Sequence, residues 1–116
     1  MFDAAPRTKS KTRTKTYTKN DFLVAMKRGW AGLGHVEGKL CNIDSYGRTI
    51  DSCALNACSI GLGVDVDFLS AKINRSKLGF TTCDICGANN QAASKKGAIA
   101  NVTALLDAKW PEGKEI

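Results

Sequence analysis

Histidine is nearly absent from this 116-residue sequence: His35 is the only one. It sits in the glycine-rich stretch AGLGHVEG, residues 31 to 38, which reads as loop. No nucleophile stands at a catalytic spacing around it. Conventional catalysis therefore finds little footing, and His35 reads as a solvated loop residue. No apolar run approaches the roughly 20 residues of a membrane span, and the basic N-terminus lacks the apolar region of a secretory signal. The reading is therefore no membrane and a cytoplasmic location. A second Cys-x-x-Cys is missing too, so the pair at Cys83 and Cys86 supplies only half of a usual zinc site. After Gly61-Leu62-Gly63 the third glycine of a dinucleotide loop is also wanting.

What is present in excess is positive charge, and it is unevenly placed. Of the net +6, residues 1 to 20 contribute +5 and residues 21 to 116 only +1. From Arg7 to Lys19 the chain alternates, with Arg7, Lys9, Lys11, Arg13, Lys15 and Lys19 at odd positions and threonine or serine between most of them. In an extended chain such cations stand about 6.6 to 6.8 Å apart on one face, a spacing that can follow a polyphosphate backbone. The same segment also satisfies three other descriptions: a solvated tail, a Thr-rich edge strand, and a strip that docks on an acidic protein surface.

The arm, residues 1 to 18, leads into one domain, residues 19 to 116. Thr18 and Asp21 form a capping-box pattern with Tyr17 and Phe22 as its staple. A helix is predicted over 19 to 28, with Phe22, Met26 and Trp30 on its apolar face and Gly29 as its stop. KLCNIDSYGRTID suggests a short hairpin turning at Ser45-Tyr46-Gly47-Arg48. Residues 52 to 63 read as a small-residue helix capped by Ser52 and ended by Gly61 and Gly63, suited to close packing. Asp65 caps the next helix, in which Phe68, Leu69 and Ile73 share a face, Lys72, Arg75 and Lys77 suit the dipole, and Gly79 closes. Residues 81 to 97 read as irregular. Ile99, Val102, Leu106 and Trp110 mark the last helix, which Pro111 ends. The fold class is mainly α, a small single domain of about four helices with a short β-hairpin and a basic N-terminal arm.

Five cysteines without an export signal read as reduced thiols or metal ligands. Cys83-Asp84-Ile85-Cys86-Gly87 has the form of a zinc knuckle, which Cys41 and Cys53, or His35, would have to complete. Cys53 and Cys58 lie about 140° apart around a helix and do not suit one ion. A structural zinc is thus the one cofactor in view, with incidental buried thiols and a thioredoxin-like redox pair as the other readings.

GKLCNIDSYGRTIDSCALNACSIGL, with ANVTALLDAKW later, resembles a group of small uncharacterised bacterial and phage proteins. Their pattern runs Gly, then Asp-x-x-Gly-Arg, then Cys-Ala-Leu-Gly-Ala on a helix, and a closing Val-x-x-Leu-Leu-Asp-x-Ala helix. Gly38, Asp44, Gly47, Arg48, Cys53, Ala54, Leu55, Ala57, Val102, Leu105, Leu106, Asp107 and Ala108 occupy matching places, with Asn56 where the group has glycine. The resemblance covers under half of the chain and implies a helical fold and no activity.

These observations point to a small non-enzymatic binding protein of phage or mobile-element accessory type. It would contact nucleic acid through Arg7, Lys9, Lys11, Arg13, Lys15 and Lys19, with Lys27 and Arg28 extending the patch. The alternative is a stoichiometric inhibitor or adaptor of a host protein, as anti-defence proteins such as anti-CRISPRs are. A Cys-x-x-Cys redox protein is the third reading.

Overall fold

The computed structural model describes residues 16 to 116. In chain order they form α1 (Lys19–Gly29), β1 (Gly34–His35), β2 (Cys41–Ile43), β3 (Thr49–Ser52), α2 (Ala54–Leu62), α3 (Val66–Ser76), α4 (Thr82–Asn90) and α5 (Lys95–Lys109). The architecture is mainly α with one small sheet.

α1 starts where the sequence says it must. Thr18 Oγ1 accepts from Asp21 N at 3.1 Å and the Asp21 carboxylate accepts from Thr18 N at 2.9 Å, so two otherwise orphaned donors are satisfied. At its other end Gly29 does more than stop the helix. A Cβ there would overlap the Ala57 carbonyl oxygen and stand 2.9 Å from Gly61 N, and a Cβ on Gly61 would overlap the Ala25 carbonyl. Ala25 and Gly29 on α1 thus face Gly61 and Ala57 on α2, each pair one turn apart, and the two helices cross at backbone distance. Gly61 lies within α2, and Gly63, at φ 73°, ends it. The cap at the start of α2 is Cys53, not Ser52, which is buried in β3.

The sheet has the order β1-β3-β2. β2 and β3 are the expected antiparallel hairpin, with Cys41 opposite Ser52 and Asn42 opposite Asp51. Part of the expected loop, Gly34 and His35, pairs parallel to β3 and makes the third strand. The hairpin turn begins at Asp44: its side chain accepts from Tyr46 N at 2.8 Å, Arg48 N at 3.0 Å and Arg48 Nε at 2.9 Å. Gly47 takes φ 79°, which the turn requires.

Two further expectations are corrected. Residues 82 to 90 are helical: the Asp84 carboxylate accepts from Thr81 N at 2.9 Å, the same three-residue reach that starts α1. Five helices result among the described residues, rather than about four. α3 ends at Lys77, which adopts φ 57°, before Gly79 is reached.

The core gathers Phe22, Met26, Trp30, Leu69, Ile73, Ile85, Val102, Leu106 and Trp110. Phe22 and Trp110 meet edge to face with centroids 5.0 Å apart, a favourable quadrupole arrangement. Trp30 Nε1 donates to Ser52 O at 2.8 Å and Gly34 O at 3.1 Å, tying α1 to the sheet. Asn89 is fully buried and fully used. Its Oδ1 accepts from Ala54 N, and its Nδ2 donates to Val36 O and Asn90 Oδ1. His35 Nε2 donates to the Asn89 carbonyl at 3.1 Å while its ring lies 6.0 Å from Trp30. It is a half-buried structural residue, not a solvated one. Among the described residues no single helix is long and apolar enough to cross a membrane.

Candidate nucleic-acid interface

Arg7, Lys9, Lys11, Arg13 and Lys15 lie outside the described residues, but the point from which they lead is well defined. Tyr17 is buried, its ring edge-on to Phe22 with centroids 6.2 Å apart. Its backbone N–H donates to Ile116 O at 2.7 Å and its carbonyl accepts from Ile116 N at 2.9 Å. The Thr16 hydroxyl donates to the Glu115 carboxylate. The root of the arm is therefore laid antiparallel against residues 115 and 116.

A groove of about 370 Å³ opens beside that root, lined by Phe68, Lys72 and Arg75 from α3 and by Lys114 and Glu115 from the opposite side. Phe68, Lys72 and Arg75 fall four and three residues apart, so one helix face carries all three. The sequence places Phe68 on one face with Leu69 and Ile73. Leu69 and Ile73 are fully buried, but Phe68 is 53% exposed. Lys72 Nζ stands 5.9 Å from both the Tyr17 and Phe68 ring centroids, within reach of a cation–π attraction. Among the described residues no carboxylate forms an ion pair with Lys72, Arg75 or Lys114. Arg75 and Lys114 are exposed and Lys72 is half-buried.

The other cations of the predicted patch are placed differently. Lys19 is paired with Asp107 at 3.1 Å and lies 4.0 Å from Glu112, so it secures α1 to the end of α5. Lys27 and Arg28 are exposed in the last turn of α1. Arg28 lines a separate groove with Tyr17, Asn20, Asp21, Val24 and Leu62, which also touches the arm root. Neither Lys27 nor Arg28 lines the groove that holds Phe68, Lys72 and Arg75. In the sequence Lys72 and Arg75 carry no separate site signal, because the helix dipole already accounts for them. The signal that marks them is their periodicity with Phe68.

Cys83 is exposed on α4, Cys41 and Cys86 are half-buried, and Cys53 and Cys58 are buried. Among the described residues no group of three or more His, Cys, Asp or Glu is arranged to hold a metal ion. Cys53 and Cys86 do share a cavity of about 230 Å³ with Lys39, Leu40, Asn89 and Asn90. Burial pushes both thiols above the ordinary cysteine value, against the bond that Cys53 Sγ accepts from Asn56 N at 3.4 Å. For Cys86, the second cysteine of the Cys-x-x-Cys pair, that disfavours a thiolate. Cys58 donates to Phe22 O at 3.7 Å and is pushed by burial up to about 12.

In comparison with known proteins, no family model, no curated protein and no solved structure matches the chain.

Proposed function

We propose that this is a non-enzymatic nucleic-acid-binding protein whose N-terminal cations engage the phosphate backbone from an anchored root. The observation that supports the reading is the pairing of Tyr17 with Ile116, which anchors the chain at residue 17 beside three cations that form no ion pair with a carboxylate of the described residues. Counterion release makes such binding steeply salt-dependent, with a log–log slope of about −0.7 per neutralised phosphate on single strands and −0.9 on duplex. Five arm cations on a single strand alone give about −3.5.

The test is a titration of the full chain, and of a full-length variant with Arg7, Lys9, Lys11, Arg13 and Lys15 changed to serine, against labelled oligonucleotides over a range of salt. A steep slope that collapses in the variant supports the reading. No binding by the wild-type chain, or equal binding by both, overturns it.

A second reading is favoured by a different observation. Leu40, Ile43, Tyr46 and Ile50, exposed by 42%, 60%, 82% and 46%, stand within eleven residues of the hairpin. Apolar exposure of that density suits the inhibitor or adaptor alternative. A partner retained after nuclease treatment and lost on Tyr46→Ser would favour that reading; retention by the variant would remove the hairpin from it.

A further inference from the structure

Resting on that reading, we infer that the groove beside the arm root is a stacking subsite for single-stranded nucleic acid. In it the Phe68 ring would receive an unstacked base, while Lys72, Arg75 and Lys114 hold the adjoining phosphates.

Three properties of the groove lead to this assignment. The first is that a large apolar ring is left more than half open on a helix whose Leu69 and Ile73 are entirely covered. Exposure of Phe68 costs the fold apolar burial that the core did not need, and a ring lying open between cations offers a flat π-face. The second is the sign of the charge. Lys72, Arg75 and Lys114 against Glu115 leave the walls cationic, and the Glu115 carboxylate already accepts from Thr16. Walls of that sign favour an anionic occupant. The third is the position of the ring relative to the charges. Lys72 stands over the Phe68 ring at 5.9 Å, and Arg75 is one turn further along the same face. A ring flanked by cations is the arrangement by which single strands are bound, because every base presents a π-face and every linkage a phosphate.

Duplex fits these features less well. Its bases are already stacked and leave Phe68 with nothing to cover it, so only the phosphate contacts would remain. The inference therefore separates from the arm reading in two measurable ways. Eight cations rather than five give a single-strand salt slope of about −5.6 rather than −3.5. Phe68 then matters for single strands and not for duplex.

The experiment is fluorescence anisotropy with a labelled oligothymidylate and with its duplex on complementary oligodeoxyadenylate. It compares the wild-type chain, Phe68→Leu, Phe68→Trp, and the triple variant Lys72→Ala, Arg75→Ala, Lys114→Ala, each checked for a wild-type thermal midpoint. The expected result is a loss of about tenfold for Phe68→Leu on the single strand only. Phe68→Trp should keep the affinity, and the slope of the triple variant should fall by about 2. If the wild type binds with a slope near −3.5 and no groove variant changes it, the subsite is wrong and the arm reading stands. Equal losses on duplex and single strand for Phe68→Leu also overturn the subsite. If the wild type binds neither probe, both fall together.

Discussion

Gly29 and Ala57 meet where no side chain can be accommodated: a Cβ on the glycine would overlap the carbonyl oxygen of the alanine. The reciprocal approach of Gly61 to Ala25 makes the crossing of α1 and α2 a backbone-to-backbone joint. Relief would require the two helices to separate along their whole contact. Gly29→Ala and Gly61→Ala should each destabilise by about 3 kcal/mol, the upper end of ordinary overpacking. Gly87 supplies the contrast, because it lies inside α4 with nothing near its missing Cβ. Gly87→Ala should stabilise by about 0.5 to 1 kcal/mol through helix propensity alone. Urea midpoints for the three variants measure this, and a harmless Gly29→Ala would contradict the crossing.

Asn89 stitches three elements with one side chain, serving Ala54 N at the start of α2 and Val36 O after β1. Asn89→Ala leaves a buried donor, Ala54 N, and a half-buried acceptor, Val36 O, without partners, an expected loss of about 2 kcal/mol. Substitution of the adjacent Asn90, whose Oδ1 accepts from the exposed Gly38 N, should cost less. An equal cost at both positions would show that burial of Asn89 is not what matters.

The amide and guanidinium of Arg48 and the amide of Tyr46 hold the Asp44 carboxyl below the usual carboxylate range, the Arg48 amide contributing most. A depressed folded-state pKa stabilises the turn above the unfolded value of about 3.9, and that contribution is lost as pH falls through the folded value. Carboxyl-carbon NMR should show Asp44 titrating below the other aspartates. The wild-type chain should lose this part of its stability under acid, whereas Asp44→Asn should show no such loss. Titration of Asp44 at or above the ordinary value would refute the turn geometry.

Thiol reactivity should follow exposure and ionisation together. Cys83, on the surface of α4, should be the first to react with a disulfide reagent at pH 8, and Cys58 the last. With its pKa near 12, only roughly one part in ten thousand of Cys58 is thiolate at that pH. Mass spectrometry of partly labelled protein gives the order. Early labelling of Cys58 would mean that α1 and α2 part readily.

What the sequence discloses and what it conceals divide along the range of the interactions. The start of α1 was legible because Thr18 and Asp21 satisfy each other within one turn. The start of α4 carries the same spacing in Thr81 and Asp84, but the knuckle form of Cys83 and Cys86 within the same segment masks the capping pair. Gly61 read as a stop, since the backbone that demands its missing side chain belongs to Ala25, far away in the chain. The parallel pairing of β1 is likewise invisible locally, for Gly34 and His35 acquire a partner only when β3 arrives. At the candidate interface the arm cations announce themselves by alternation. Lys114 joins Lys72 and Arg75 only because the last residues return to the arm root, which no local pattern encodes.

That return also has a mechanical meaning. Tyr17 and Ile116 exchange two hydrogen bonds as an antiparallel pair, so a pull on the arm away from residue 116 loads those bonds one after the other, as a zipper opens, rather than together in shear. Tension applied through the arm is therefore released at the joint with Ile116 first, and the helices behind Tyr17 are spared until it has parted.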